Sequence, residues 1–310
     1  MSLLIKLISA SVSVANKAGS IIREIMRKGD LNIVDKGIND LQTEADRRAQ
    51  RLIVSSLTKI FPKITIIGEE QLDANEASSD SLVTSFDNSV LTVKCPQEYV
   101  DIKDEDVVVW VDPLDGTSEY TQGLLDHVTV LIGVAVKGEA VAGVIHQPYY
   151  NYKLETDASK LGRTIWGMNG VGAFGINRKQ PPEGKRIITT TRSHSSKAIN
   201  DSIKAMNPDQ VIEVGGAGHK VLLVIEGEAH AYIFPSPGCK KWDTCAPEAL
   251  LRSIGGKLTD VFGNSYKYDS TVKHANDLGV LATYSAAVHD WYCNAIPEEV
   301  KINLLHKSNM

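Results

Sequence analysis

The sequence predicts an α/β (α+β) fold, and three observations carry that prediction. Apolar residues recur at helical spacing over residues 3–28 and again over 47–61. Runs rich in β-branched residues follow, VVVWV at 107–111 and VTVLIGVAV at 128–136, bounded by turn-forming residues. In the last third, strand-like runs at 187–191 and 257–261 bracket apolar helical stretches that begin near Val221 and after Asp243.

Leu4, Leu7, Ile8, Val12, Ala15, Ala18, Ile22, Ile25 and Met26 share one face, so residues 3–28 form a long amphipathic helix ending near Gly29. Residues 31–40 read as a short extended segment in which Lys36 is a solvated loop lysine. Thr43 and Asp46 stand at capping-box spacing ahead of a second helix, RRAQRLIVSSLTKIF, stopped by Pro62. On spacing alone, Asp46 is a first-turn acid opposing the helix dipole. Residues 64–67 form a short strand that ends on Gly68-Glu69-Glu70. Residues 71–106, rich in Ser, Asp, Glu and Asn and without periodicity, read as a surface insertion.

Residues 107–111 form a strand buried on both faces that stops at Asp112, where Pro113 and Gly116 force a turn. Strands over 128–136 and 140–145, joined at Gly138, and glycine-rich strands near 164–167 and 172–175 complete a mostly antiparallel sheet backed by the two helices. The stretch KQPPEG at 179–184 is the predicted boundary between two closely packed halves, 1–180 and 181–310. After the strand at 187–191, Arg192-Ser193-His194-Ser195 clusters polar groups at a strand end. VGGAGHK at 214–220 is a glycine-rich turn entering a helix, which presents backbone amides to an anion with Lys220 adding charge. CKKWDTCAPE at 239–248 opens a further helix with Asp243 at its N-cap; Gly255-Gly256 ends it, and 257–261 form a final strand.

Composition narrows the function. The 310 residues carry a net charge of −5, so no basic field holds a nucleic-acid polymer. Cys95, Cys239, Cys245 and Cys293 show no CxxC spacing, which points to reduced thiols in a cytoplasmic protein and not to a zinc site. Lys6, Lys17 and Arg23 interrupt the N-terminal apolar residues, so no membrane segment is expected there.

The chemistry gathers at DPLDGTS, residues 112–118. Asp112 and Asp115 leave one turn together, and two adjacent carboxylates need a compensating charge. A hard divalent cation such as Mg²⁺ supplies it while keeping positions open for water and phosphate oxygens. Gly116-Thr117-Ser118 adds uncovered amides and two hydroxyls, which suit an anion beside the metal. An Asp-Pro and Asp-Gly turn alone would need no metal. The whole string, however, resembles the metal-binding signature of the inositol monophosphatase superfamily of lithium-sensitive phosphomonoesterases. DLQTEAD (40–46), the GEE segment (68–70), TTTRSH (189–194), the turn at 214–220 and CKKWDTCAPE resemble it too, most closely its bisphosphate nucleotidase branch.

That resemblance implies a layered αβαβα sandwich of the inositol monophosphatase and fructose-1,6-bisphosphatase type. It implies that Glu69, Asp112, Asp115, Asp243 and the Leu114 carbonyl bind two or more Mg²⁺ ions, with Glu70 as a partner behind Glu69. Asp46 and Thr117 would activate the attacking water, while amides at Gly116 and Thr117 hold the phosphate. Thr191, His194, Gly216 and Lys220 would contact the bound nucleotide. The implied activity is Mg²⁺-dependent, Li⁺-sensitive release of the 3'-phosphate from adenosine 3',5'-bisphosphate, extending to its phosphosulfate analogue and to inositol 1,4-bisphosphate or 1,3,4-trisphosphate. An inositol polyphosphate 1-phosphatase, an inositol monophosphatase or a non-catalytic nucleotide-binding regulator are the alternatives. A monomer acting on a small phosphorylated substrate, with no polymer or membrane partner, is the expectation.

Overall fold

The computed structural model describes residues 1–37, 40–71, 80–157 and 160–308. In chain order the elements are α1 (Leu3–Lys28), β1 (Val34–Gly37), β2 (Asp40–Gln42), α2 (Glu44–Ile60), β3 (Thr65–Gly68), α3 (Asn88–Leu91), β4 (Val107–Asp115), α4 (Thr117–Thr121), β5 (Thr129–Val136), β6 (Glu139–Gln147), β7 (Arg163–Met168) and β8 (Gly172–Phe174). There follow β9 (Ile187–Thr191), α5 (Lys197–Met206), β10 (Gln210–Val214), α6 (Ala217–Glu226), β11 (Ala231–Phe234), α7 (Lys241–Ser253), β12 (Lys257–Thr259), β13 (Val280–Thr283), α8 (His289–Ala295) and α9 (Glu298–Ser308).

Two sheets organise them. The first has the order β3-β4-β5-β6-β7-β8; β3 joins β4 in parallel and the rest is an antiparallel meander. The second has the order β10-β9-β11-β13-β12 and mixes parallel and antiparallel pairs. β4 shows why the chain must be layered. Val107, Val109 and Val111 point into a core shared with α1 and α2, whereas Val108 and Trp110 point into a second core shared with α6 and α7. Alternation with apolar residues on both sides demands cover on both faces. A third core joins the outer face of the second sheet, through Ile188, Ile233 and Leu281, to Met206 of α5, Tyr292 of α8 and Val300 and Leu304 of α9. The stacking is therefore αβαβα, as the resemblance implied.

α1 fills the predicted span, with Ser2 capping its start and Gly29 closing it in the left-handed conformation. α7 crosses the middle of the first sheet, close enough that a side chain on Gly143 of β6 would strike the backbone of Ala246 at 2.4 Å. Among the described residues, no helix is long and apolar enough to cross a membrane.

Several expectations need correction. β4 does not stop at Asp112 but continues to Asp115 through an irregularity in its pairing with β5. Residues 257–261 do not end the sheet: β13 inserts between β11 and β12, and α8 and α9 follow. Tolerable local alternatives hid these short elements, and tertiary pairing selects them. Of the expected surface insertion at 71–106, residues 72–79 lie outside the described residues. The part from Asp80 onward is tied down: Asp80 pairs with Arg48 of α2 at 2.7 Å, and Val90 is buried against α1. Of the extended segment 31–40, residues 38 and 39 also lie outside the described residues.

Candidate active site

The site begins with the irregularity in β4. Asp112 pairs with Leu131 and Asp115 with Thr129, so three steps along β4 match two along β5. Residues three apart on a regular strand face opposite sides; one extra residue brings Asp115 back to the side of Asp112. Asp243 arrives from α7, and single carboxylate oxygens of Asp112, Asp115 and Asp243 lie within 4.8 Å of one another. Asp243 is not the N-cap of α7, as the sequence reading had it. Lys240 holds that place, and Asp243, three residues on, accepts the Lys240 amide at 2.5 Å. Glu69 leaves the end of β3 beside β4, its amide bound to the Val111 carbonyl at 3.0 Å.

Burial dominates the electrostatics of these acids. Removal from water, together with Glu69, Asp115 and Asp243 as neighbours, raises Asp112 well above the ordinary carboxylate range. Burial and then Asp243 and Glu70 do the same to Glu69. Asp243 is raised to about 6, by burial first and Asp115 second. Asp115 is raised less sharply because its oxygens are met by Thr129 Oγ1 at 2.7 Å and by the amides of Ala217 and Gly218 at 2.7 and 2.8 Å. The first amides of α6 therefore receive the chain's own Asp115, where the sequence reading assigned them to an external anion.

A crowd of buried carboxylates with elevated pKa values is a site short of positive charge. Its donors are all oxygen, which suits a hard divalent cation and disfavours a soft one. The Leu114 carbonyl accepts the Thr117 hydroxyl at 3.0 Å, and its second lone pair stays available.

Asp46 sits behind this cluster at the start of α2. One of its oxygens caps the helix, accepting the Thr43 amide at 2.7 Å and the Thr43 hydroxyl at 2.5 Å. The other accepts the Thr117 hydroxyl at 3.0 Å, across 71 residues of chain. One carboxylate thus both caps α2 and reaches the Thr117 hydroxyl. Burial raises Asp46 to about 6, with the hydrogen bonds from Thr43 and Thr117 opposing it.

The acids open into a cleft of about 930 Å³. Glu69, Asp112, Leu114, Asp115, Gly116, Thr117, Thr191, His194, Gly216, Lys220 and Asp243 all line it; Asp46 alone of the predicted residues is set back, touching the cleft through Thr117. Thr191 Oγ1 accepts the His194 amide at 3.2 Å, which folds the strand end after β9 toward the cleft. Lys220 is buried, its ammonium over the Tyr232 ring at 5.3 Å; burial lowers its pKa while Asp115 opposes that.

Sequence reasoning missed part of the wall. Lys36 is not a plain solvated lysine: its ammonium lies 2.9 Å from Glu70 and 3.9 Å from Glu69, and it lines the cleft. No local pattern could pair residues 34 apart. Gln42 also binds Glu70, and Gln50 brackets the Glu70 backbone with bonds of 2.6 and 2.8 Å. Gln50 did leave a signal, as one of three polar residues, with Asp46 and Ser56, on the buried face of α2.

The sequence pattern of the inositol monophosphatase family matches residues 4–300. The chain is 56% identical over 301 residues to human 3'(2'),5'-bisphosphate nucleotidase 1, covering 97% of each chain. It is 39% identical over 291 residues to 3'(2'),5'-bisphosphate nucleotidase 1 of Dictyostelium discoideum, covering 91% of this chain and 94% of that one. The crystal structure of extragenic suppressor protein suhB from Bartonella henselae shares the fold, with a TM-score of 0.67 at 21% identity over 93% of this chain and 97% of that one. A sandwich of these five layers, built on these signatures and matched along nearly its whole length, makes the chain a member of the inositol monophosphatase family.

Proposed function

We propose that this chain is a 3'(2'),5'-bisphosphate nucleotidase that removes the 3'-phosphate of adenosine 3',5'-bisphosphate and leaves AMP. The observation that carries the reading is the Thr117 hydroxyl held 3.0 Å from a buried Asp46 oxygen, beside three clustered carboxylates. The human and Dictyostelium discoideum relatives, named as 3'(2'),5'-bisphosphate nucleotidases, support the choice of substrate. Glu69, Asp112, Asp115, Asp243 and the Leu114 carbonyl would hold Mg²⁺, two or more ions per site. When bound, the metal supplies the positive charge that a phosphoryl group and its departing oxygen need.

Thr117 Oγ1 stands 3.0 Å from both Asp46 and the Leu114 carbonyl; for the reaction its one proton turns to Asp46 and a lone pair is left toward the cleft. A water there gives its proton to Thr117 Oγ1 as the threonine's own proton passes to Asp46, whose raised pKa suits the task near neutrality. The water oxygen bonds to phosphorus, the bond from phosphorus to the 3'-oxygen breaks, and that oxygen takes a proton from bulk water as Asp46 returns its own to solvent. Gly116 and Thr117 hold the transferred phosphate. Thr191, His194, Gly216 and Lys220, from the half we delimit as 181–310, hold the rest of the nucleotide against the half 1–180. Burial, with Lys220 nearby, lowers the His194 pKa.

The same phosphate chemistry extends to the phosphosulfate analogue and to inositol 1,4-bisphosphate and 1,3,4-trisphosphate, with Li⁺ inhibition. We place the protein in the cytoplasm, a compartment its four free cysteines suit, and take it to act as a monomer. The test is Mg²⁺-dependent phosphate release from adenosine 3',5'-bisphosphate beside inositol 1,4-bisphosphate and inositol 1-phosphate, with Asp112→Asn as control. Fast 3'-phosphate release that Asp112→Asn abolishes supports the reading. Turnover of the inositol substrates alone moves the assignment to an inositol phosphatase, and nucleotide binding without any turnover moves it to a non-catalytic regulator.

A further inference from the structure

We propose that His127 is a positioning residue: by accepting the Gly215 amide it fixes the glycine turn that presents Gly216 to the nucleotide, and so sets substrate affinity and not the chemical step. The inference rests on the nucleotidase reading. A turn made of Gly215 and Gly216 has no side chains of its own to pack, so neighbouring groups must hold it.

His127 ends a 3₁₀ turn, Leu125–His127, just before β5, and meets the glycine turn twice. Its carbonyl oxygen lies 2.5 Å from where a Cβ on Gly216 would stand and 3.2 Å from where one on Gly116 would stand. Both glycines have positive φ, +70° and +88°, so the backbone and the close approach demand glycine together. Its imidazole Nδ1 accepts the Gly215 amide at 3.2 Å. The ring is held in place by stacking on His219 of α6, centroids 5.0 Å apart and planes at 22°.

An acceptor Nδ1 requires a neutral ring with its proton on Nε2. Burial keeps it so; of the charged groups that face it, Glu119 and Asp126 favour protonation while Arg192 and Lys220 oppose it. The next amides of the turn, Ala217 and Gly218, go to Asp115. The turn is therefore held by Asp115 through Ala217 and Gly218 and by His127 through Gly215. Loss of Nδ1 leaves the Asp115 anchor intact and frees the Gly215 amide next to Gly216.

Two replacements separate the acceptor from the stack. His127→Phe keeps a flat ring against His219 but cannot accept; His127→Asn loses the stack but offers Oδ1 to Gly215. We expect His127→Phe to raise KM for adenosine 3',5'-bisphosphate about 5- to 10-fold, the lower range for an orphaned donor, with kcat within about twofold. His127→Asn should return KM to within about twofold of the parent. The Gly215 amide should exchange with solvent deuterium faster in His127→Phe and not in His127→Asn. Equal KM in all three proteins, failure of asparagine to rescue, or a fall in kcat at constant KM overturns the proposal. If the parent protein turns over no bisphosphate, the nucleotidase reading has failed, and deuterium exchange at Gly215 alone decides whether His127 holds the turn.

Discussion

Asp46→Asn separates the two tasks of a single carboxylate. One Asp46 oxygen accepts two donors from Thr43 and the other accepts the Thr117 hydroxyl. An asparagine has one acceptor oxygen and must choose. With the oxygen toward Thr43, the amide NH₂ faces Thr117 Oγ1 and donates to it, which occupies the lone pair that a water's proton needs. With the NH₂ toward Thr43, donors confront donors in a buried site, at a cost of roughly 1–3 kcal/mol, so the first arrangement prevails. Loss of a general base predicts a kcat lower by about 10²- to 10⁴-fold. Stability moves little: a weakened helix cap costs about 0.5–2 kcal/mol. Removal of a carboxylate that burial has raised to about 6 offsets most of that cost. Turnover and urea unfolding measured on the same preparation check both halves. A kcat within about tenfold of the parent, or a stability loss above about 3 kcal/mol that accounts for the lost activity, refutes the reasoning.

The other predictions concern stability. In the metal-free protein, Asp46 and Asp243 are raised to about 6 and Glu248 to about 7, and Asp112 and Glu69 are raised well above their ordinary values. The folded state then holds acid protons that the unfolded state has released, which makes stability fall as pH rises, while His146 and His219, lowered to about 3, and His289, lowered to about 4, give the opposite slope until the unfolded histidines have titrated. Above that range the acids set the sign: Tm should be higher at pH 6.5 than at pH 8, and Mg²⁺ should restore it at pH 8; a metal-free Tm that climbs over this interval contradicts the assignment. Gly143→Ala places a methyl 2.4 Å from the Ala246 carbonyl and should cost about 1–3 kcal/mol by forcing α7 off the sheet. A loss below about 0.5 kcal/mol in thermal unfolding would mean that α7 yields freely. Tyr268→Phe removes the hydroxyl that donates to buried Glu248 at 2.6 Å and should cost about 1–3 kcal/mol in urea unfolding; an unchanged midpoint would show that Glu248 is satisfied without it.

Much of the fold was legible because its elements are locally over-determined. The stripe of α1 and the β-branched runs of β4 and β5 are strong local patterns, and Gly29 marks an end that the structure keeps. The short strands β12 and β13 and helices α8 and α9 carry weaker patterns, and their identity comes from pairing with β11 and from the outer core. The candidate site was legible through its motifs, since DPLDGT, GEE and WD are contiguous strings whose resemblance survives without coordinates. Lys36 belongs to no such string, and Gln42, though within DLQTEAD, carries no local sign of its partner. Their partner Glu70 is 34 and 28 residues away, and nothing local indicates the meeting.

By itself, then, the sequence determined the long helices and the β-branched strands, that the chain must be covered on both faces of β4, and which acids and hydroxyls are candidates for the chemistry. Side-chain periodicity and the chemistry of short contiguous motifs act within a few residues, so they can be read from order alone. Only the tertiary structure decided that one extra residue in β4 turns Asp112 and Asp115 to the same side, and that the amides of α6 are spent on Asp115. It also decided that Asp46 both caps α2 and holds Thr117. Each of these depends on where a second segment, tens of residues away, is placed by burial of the cores, and the direction of a lone pair or a carboxylate oxygen is settled only when that segment arrives.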